Sequence, residues 1–367
     1  MPGAGELDAR ILAAIDAYAL DEHGFVQLAR ALFAHQVNFN APYAAYARAR
    51  GYDAQHLPAR VEDIPAVPAA AFKEARLAAF PAEHTQRTFE TSGTTGGRGG
   101  RHELDTTLLY EAALLASFDR MLLGDRARLR YLNLVPDPSE RPHSSLGFMM
   151  DVVSRERGDG AQAWFLHDDV LDVDGVLAAI ARARRDGAAV CLATTAFALV
   201  ALLDALDARG ILAPLPPGSR IMETGGFKGR VRVVERATLY RSASRQLGVP
   251  VESIVAEYGM TELSSQYYDE PRGRARIEPR VKLAPPWLRP IVVDGDGRPL
   301  PPGVVGAIRH VDLANRGSVI AIDTEDLGAL VPSTGTEPGG LVLLGREQGA
   351  ELRGCSLDAE TLLARRG

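Results

Sequence analysis

The chain has 367 residues, 46% hydrophobic and 24% charged, with a net charge of −6. At about 150 residues per domain that allows two or three units with a full apolar core. With no basic block, nucleic acid is not expected as a partner, and the two cysteines, Cys191 and Cys355, give neither a disulfide framework nor a metal spacing.

The opening MPGAGELDARILAAIDAY has acids early and no basic stretch, so it does not read as a signal peptide, and a reducing, cytoplasmic setting is expected. Apolar residues recur at three and four in ELDARILAAIDAYAL and FVQLARALFAHQV, which predicts helix over residues 6–80 and a helical N-terminal region over 1–86. From residue 87 the pattern alternates. Strands are predicted at RTFETS, RYLNLV, AQAWFLH, AAVCLAT, SRIMETGG and SIVAEYG, with helices at TTLLYEAALLASFDRMLL, DGVLAAIARARRD, AFALVALLDALDARG and RVRVVERATLYRSASRQLG. This alternation implies an α/β core over 87–290 with a mainly parallel sheet covered on both faces. The uncharged run GAAVCLATTAFALVALL is interrupted by Thr194 and Thr195 and falls short of the ~20 residues a membrane span needs. It reads as a buried strand followed by a helix, with Cys191 in the core. DVDG at 172–175 and VDGDG at 293–297 read as turns. Past Pro285, short strands with D-G and P-G turns predict a small antiparallel β subdomain over 291–344, with PSTGTEPGG (332–340) as a loop and 345–367 as a C-terminal tail.

The densest chemistry is in FETSGTTGGRGGRHELD, which begins at Phe89. Thr91, Ser92, Thr94 and Thr95 alternate with Gly93, Gly96, Gly97, Gly99 and Gly100. A strand that opens into a Gly-rich turn gathers backbone N–H groups into a concavity suited to phosphate, and hydroxyls add donors. It is not a Walker loop, since no lysine follows the glycines, and taken alone it reads equally as a flexible surface turn. His102-Glu103-Leu104-Asp105-Thr106 lacks the second histidine of a zinc helix. The run EYGMTELSSQ (257–266) offers an aromatic ring for a purine, a hydroxyl for phosphate and a carboxylate for a phosphate-bound Mg²⁺.

Together TSGTTG (91–96), YGMTE (258–262), DTEDLG (323–328) and GREQGAELRG (345–354) resemble the phosphate loop, adenine segment, ribose segment and hinge of the adenylate-forming superfamily, in the same order. GGFKGR (225–230), YGMTELSSQ and LRGCSL (352–357) make the sequence most similar to the luminescence-type acyl-protein synthetases, the LuxE family. The resemblance implies a large α/β adenylate-forming domain with a small β subdomain, and a C-terminal lid domain reduced to a short hinge-like tail. It also implies ATP-dependent activation of a carboxylic, fatty-type acid with Mg²⁺, transfer to a cysteine thiol, and delivery to a reductase or carrier protein. The alternative it leaves is direct transfer to a carrier protein, coenzyme A or an amine.

Carried over by motif, Thr91, Ser92, Gly93, Thr94, Thr95 and Gly96 hold the β- and γ-phosphates, while Gly225 and Gly226 let the backbone lie against adenine. Tyr258 stacks on adenine beside Gly259, Thr261 contacts the α-phosphate and Glu262 binds Mg²⁺. Asp326 accepts the ribose hydroxyls, and Arg346 contacts ribose or phosphate. Two departures stand out. The proline–lysine pair that usually follows the phosphate loop is here Gly97-Arg98-Gly99-Gly100-Arg101, and no lysine follows Lys282 where relatives carry a lid lysine. Either Lys228, Arg98 or Arg101 substitutes, or adenylation runs without that group. Cys355 follows Arg353-Gly354 and precedes SLDAETLLA, which reads as a helix start. A thiol there gains nucleophilicity, and the resemblance makes it the acyl acceptor. In PHSSLGFMM, Leu146, Phe148, Met149 and Met150 read either as the lining of an acyl tunnel or as ordinary core.

Overall fold

The computed structural model describes residues 2–91, 99–124, 128–225, 235–269, 280–334 and 339–346. The strands are β1 (Val67–Pro68), β2 (Arg87–Glu90), β3 (Arg101–Leu104), β4 (Arg130–Pro136), β5 (Ala163–His167), β6 (Val170–Leu171), β7 (Val190–Thr195), β8 (Arg220–Thr224), β9 (Ile254–Tyr258), β10 (Tyr267–Asp269), β11 (Lys282–Leu283), β12 (Leu288–Val293), β13 (Gly306–Asp312), β14 (Ala321–Val331) and β15 (Gly340–Arg346). The helices are α1 (Ala4–Ala17), α2 (Glu22–Phe39), α3 (Ala41–Arg48), α4 (Ala71–Glu74), α5 (Leu108–Phe118), α6 (Ser145–Arg157), α7 (Val173–Asp186), α8 (Ala196–Arg209) and α9 (Arg236–Leu247). The chain divides into two compact units, each discontinuous in sequence. One is built from residues 1–116, 260–266 and 283–367, the other from 117–259 and 267–282.

In the second unit β9, β8, β7, β4 and β5 run parallel in that order, with β10 and β6 antiparallel at the two margins. Leu132, Leu134, Val190, Leu192, Ile221 and Ile254 pack against α7, α8 and α9 through Ile180, Leu199, Leu202, Tyr240 and Ala243. The alternate residues point the other way, where Asn133 donates to Ser154 of α6 at 3.2 Å. A parallel sheet buried on both sides explains why β7 opens on the uninterrupted apolar run VCLA. Two sequence expectations hold here. GAAVCLATTAFALVALL is a strand followed by a helix, and Cys191 is fully buried, its thiol pKa pushed up to about 12 by burial. A third is corrected: Asp172 does not end in a turn but caps α7, accepting from Gly175 N at 2.9 Å.

In the first unit β12, β13, β14 and β15 form an antiparallel meander, with β1 parallel to β14, while β2 and β3 make a separate hairpin. VDGDG makes the turn that ends β12, with Asp294 O accepting from Gly297 N at 3.0 Å. The N-terminal helices belong to this unit. Asp21 caps α2 and Asn40 caps α3, where a proline follows in the first turn. The helical periodicity was expected to run to residue 80, but it ends at Arg48. Pro58, Pro65 and Pro68 lack the amide a helix interior needs, and the chain there is irregular apart from β1, α4 and a single 3₁₀ turn. Gln36 of α2 is fully buried and donates to the carbonyls of Asn315 (2.9 Å) and Arg316 (3.1 Å), while its own carbonyl accepts from Ile320 N at 3.0 Å. Tyr18 meets Trp287 edge to face, with ring centroids 5.3 Å apart. No helix among the described residues is long and apolar enough to cross a membrane.

Candidate active site

The glycine-rich segment connects β2 to β3, so its two ends are neighbours. Thr91 N donates to Gly100 O at 2.9 Å, and Gly100 N donates to the Thr91 hydroxyl oxygen at 2.7 Å. The strands beyond pair Glu90 with Arg101 and Phe89 with His102. Gly99 has no room for a side chain, because a Cβ there would sit 2.5 Å from Thr91 O. The loop therefore stands on fixed feet. Its interior, with Ser92, Gly93, Thr94, Thr95, Gly96 and Arg98, lies outside the described residues. Arg101 begins β3 and leans toward Glu90 at 3.7 Å and Glu103 at 3.9 Å, half-exposed.

Thr261 and Glu262 occupy a turn in the same unit. Glu262 is 6% exposed. The backbone of this turn is clamped from behind. His102 Nδ1 lies 2.8 Å from Thr261 O, and Asn315 Nδ2 donates to Glu262 O at 2.9 Å. The residues that follow are anchored too. Ser264 N and the Ser265 hydroxyl donate to the Asp312 carboxylate, at 2.9 and 2.7 Å. Burial pushes the Asp312 carboxyl up to about 6, and those hydrogen bonds restrain it.

Asp326 sits where β14 is irregular on both edges. Between the pairs Ala307↔Leu327 and Arg309↔Asp323, the residues Thr324, Glu325 and Asp326 face a single residue, Ile308. The Thr324 hydroxyl donates to Ile308 O at 2.8 Å and accepts from Asp326 N at 3.2 Å. Toward β15 the register pairs Asp326 with Arg346 and then shifts between Leu327 and Gly328. Bulges re-aim side chains, and they cluster beside functional sites. Thus the two residues expected at the ribose stand directly across from each other on adjacent strands. Behind Asp326 is His310, fully buried. Burial holds its pKa near 4, against the pull of the Asp326 charge.

Most of the remaining expected residues belong to the other unit. Tyr258 ends β9 and lies in tilted contact with Tyr267, centroids 5.6 Å apart. Gly259 follows it, partly exposed. Gly225 follows β8 with φ +81, a left-handed conformation that favours glycine, while Gly226 and Lys228 lie outside the described residues. Thr224 and Glu257 are paired in register at the ends of β8 and β9, and the Thr224 hydroxyl donates to the buried Glu257 carboxyl. Burial raises Glu257 to about 7. On strand β8 the neighbouring Glu223 accepts from the Tyr240 hydroxyl at 2.8 Å. Lys282 is structural: it is 2% exposed, bridges to Asp269 at 2.7 Å and donates to Ala256 O. Phe148, Met149 and Met150 are buried on α6. Cys355 and the tail around it lie outside the described residues.

Sequence reasoning missed His102, Asn315, Glu257 and Thr224. His102 had been weighed only as a zinc ligand and set aside. Its partners are 159 and 213 residues away, so no local spacing announces them. Among the described residues, Asp137, Glu140 and His167 form the one group that offers three metal-ligating atoms, and Glu262 is not in it. There the carboxylates are already engaged: Glu140 bonds His167 Nδ1 at 2.7 Å, and Asp137 accepts from the Ser139 hydroxyl at 2.7 Å.

A family model described as acyl-protein synthetase, LuxE, matches residues 5–363. No curated protein matches the chain. Among solved structures, an open conformation of 2-hydroxyisobutyryl-CoA ligase in complex with 2-HIB-AMP and CoA is similar with a TM-score of 0.65 at 13% identity, over 94% of this chain and 79% of that one. The amide bond synthetase McbA from Marinactinospora thermotolerans gives a TM-score of 0.50 at 22% identity over 74% of this chain and 52% of that one. ATP-bound MatB from Rhodopseudomonas palustris gives 0.48 at 20% identity over 73% and 49%. The chain thus spans about half the length of MatB and McbA, and the likeness to 2-hydroxyisobutyryl-CoA ligase concerns the mixed α/β fold alone.

Proposed function

Because the chain belongs to the LuxE acyl-protein synthetase family, we propose that it activates a carboxylic acid of the fatty class with ATP, releases pyrophosphate, and passes the acyl group to the Cys355 thiol and on to a partner protein. The hydrogen bond between His102 and the Thr261 carbonyl carries this reading. It ties the strand leaving the glycine-rich loop to the turn bearing Thr261 and Glu262, so that both belong to one hydrogen-bonded assembly, as residues serving one triphosphate must. A carboxylate is a hard oxygen donor that suits Mg²⁺, and a side chain as buried as Glu262 fits a site for a cation better than one for water. When bound, the ion neutralises phosphate charge around the α-phosphorus.

In the proposed sequence an oxygen of the acid attacks the α-phosphorus, and the bond to the pyrophosphate oxygen breaks. The loop from Thr91 to Gly96 holds the departing phosphates, and the Thr261 hydroxyl donates to the α-phosphate. Tyr258 stacks on adenine, Gly225 and Gly226 leave room beside it, and Asp326 with Arg346 fixes the ribose. These groups supply position and charge, which account for most catalysis of phosphoryl transfer. Lys228, Arg98 or Arg101 adds positive charge beside the phosphates. The Cys355 thiolate then attacks the acyl carbon, AMP leaves, and a thioester results. A reductase or carrier protein takes the acyl group.

Acid-dependent ATP–pyrophosphate exchange across a panel of acids tests the first half, and the expected result is exchange that Glu262→Ala abolishes. Exchange within a few-fold of wild type in that variant removes the metal assignment. The second half is read from a hydroxylamine-labile acyl label, present in the wild type and lost in Cys355→Ser while exchange continues. Turnover without any such label replaces the relay with direct transfer to a carrier protein, coenzyme A or an amine.

A further inference from the structure

His102 is fully buried in β3, and each of its ring nitrogens meets an oxygen. Nδ1 is 2.8 Å from Thr261 O, and Nε2 is 2.9 Å from Asn315 Oδ1. The orientation of the Asn315 amide follows from its other contacts. Its nitrogen lies 2.9 Å from Glu262 O and 2.9 Å from Val319 O. Both are carbonyls and can only accept, so the NH₂ group must face them. The amide oxygen therefore faces the imidazole, and the Ser264 hydroxyl donates to it as well, at 3.3 Å. Thr261 O is a carbonyl too. Neither partner of the ring carries a proton to give.

A neutral imidazole has one N–H and one lone pair. Between two acceptors it can make one bond, and its lone pair then opposes an oxygen lone pair at hydrogen-bond distance. Only a ring protonated on both nitrogens makes both contacts. We propose that His102 is a positioning residue that donates from both ring nitrogens, as an imidazolium, and thereby holds the Thr261–Glu262 turn in place.

The surroundings divide on this point. Burial lowers the imidazole pKa, and on balance the direction is below the ordinary 6.5. The bonds to Thr261 and Asn315 and the charge of Glu103 act upward. Glu103, the next residue on the same strand, is the charged group whose field acts on the ring, and it also bonds Arg76 at 2.6 Å. From α4 the ring receives only the edge of Phe72, centroids 6.0 Å apart. From the 260–266 turn it receives Thr261, and from the segment after β13 it receives Asn315. Asp312 is turned to Ser264 and Ser265 instead. Desolvation thus predicts a neutral ring at neutral pH and the count of donors predicts a charged one, so the protonation state decides between them.

The value of the device to the site is geometric. Thr261 and Glu262 project from a short turn, and the clamp fixes two successive carbonyls of that turn to β3 and to the segment after β13. The positioning role rests on the reading of Thr261 and Glu262 given above, whereas the protonation claim does not. Two measurements separate them. The first is nitrogen-15 NMR of histidine-labelled protein without ligand at about pH 7, with His102→Gln and His102→Asn used to assign the ring. Two slowly exchanging ring N–H protons with an imidazolium nitrogen pattern are expected, and a neutral-ring pattern overturns the proposal. The second is pyrophosphate exchange by His102→Gln, expected to lose on the order of tenfold to a hundredfold in kcat with KM for ATP and melting temperature little changed. Unchanged kcat in a folded variant overturns the positioning role. If the wild type shows no exchange with any acid, the functional reading fails while the NMR result still stands or falls alone.

Discussion

Replacing Glu257 with glutamine should flatten the pH dependence of stability. Glu257 is buried one residue before Tyr258, and burial raises its carboxyl pKa from 4.5 to about 7. The Thr224 hydrogen bond and the Lys282 charge oppose the rise, and Glu223 adds to it. The folded value lies above the unfolded one. The stability contributed by the neutral acid is therefore fully present below about pH 4.5 and is lost as pH rises through about 7. At about 1.4 kcal/mol for each pH unit in that interval, the loss is roughly 3 kcal/mol. A whole domain is stable by only ~5–15 kcal/mol, so the effect is well within reach of measurement. Glutamine keeps the shape and an acceptor for Thr224, and it does not titrate. Urea denaturation at about pH 5 and about pH 8 should show the wild type losing about 2.5 kcal/mol relative to Glu257→Gln, since part of the loss is already present at about pH 5. Asp312, also raised, titrates in both proteins and cancels in the difference. Parallel curves would mean that Glu257 is already ionised at the lower pH, and the argument from burial would be wrong.

Asp326→Ala should weaken ATP binding about tenfold or more at unchanged melting temperature, since a charged acceptor for the ribose hydroxyls is lost; equal affinity by calorimetry would return Asp326 to a purely structural place in its bulge. Gly99→Ala forces a methyl group to within 2.5 Å of Thr91 O and should spread the feet of the loop, lowering nucleotide affinity more than overall stability. Affinity equal to that of the wild type would show that the loop does not depend on its base. Asp269→Asn leaves Arg280 and Lys282 buried beside a neutral partner, and a loss of about 3–5 kcal/mol in denaturation is expected. A loss below about 1 kcal/mol would mean that water or another carboxylate already compensates those cations.

The parallel strands and their helices were legible because they are buried on both faces. Such strands are rich in apolar residues, and VCLATT announces itself by composition, whereas RIMET buries Arg220, Glu223 and Thr224 as well. The antiparallel meander was legible from its D-G and P-G turns. The helical reading of 49–80 failed, apart from the short α4, because apolar spacing survives in irregular chain that is packed as core, as Ile64 and Leu77 are, while three prolines forbid a long helix. At the site, residues that meet the ligand through short motifs were readable from those motifs. Residues that act on the motifs from behind were not. Asn315 binds Glu262 across 53 positions and His102 across 213 positions, and nothing in LANRGS distinguishes it from a turn asparagine. The double irregularity around Asp326 was also hidden, since a bulge is a property of pairing and needs the partner strands to be known.

The discontinuity of the two units bears on the order in which the protein can be made. The second unit draws on residues 117–259 and 267–282, so its parallel sheet has all its strands once synthesis has passed Lys282. The first unit has no such independence. Gln36 of α2 waits for Asn315, Arg316 and Ile320, and Arg316 must return to Asp8, 308 positions earlier, and to Asp105. Contacts that close such long loops slow folding, and until they form the apolar faces of α1 and α2 have nothing from the C-terminal third to bury against. Co-translational folding should therefore begin in the middle of the chain and finish at both ends together. Substitutions at Gln36 or Arg316 should then reduce the yield of folded protein by leaving the nascent helices exposed for longer, an effect separate from any change in the stability of the finished fold.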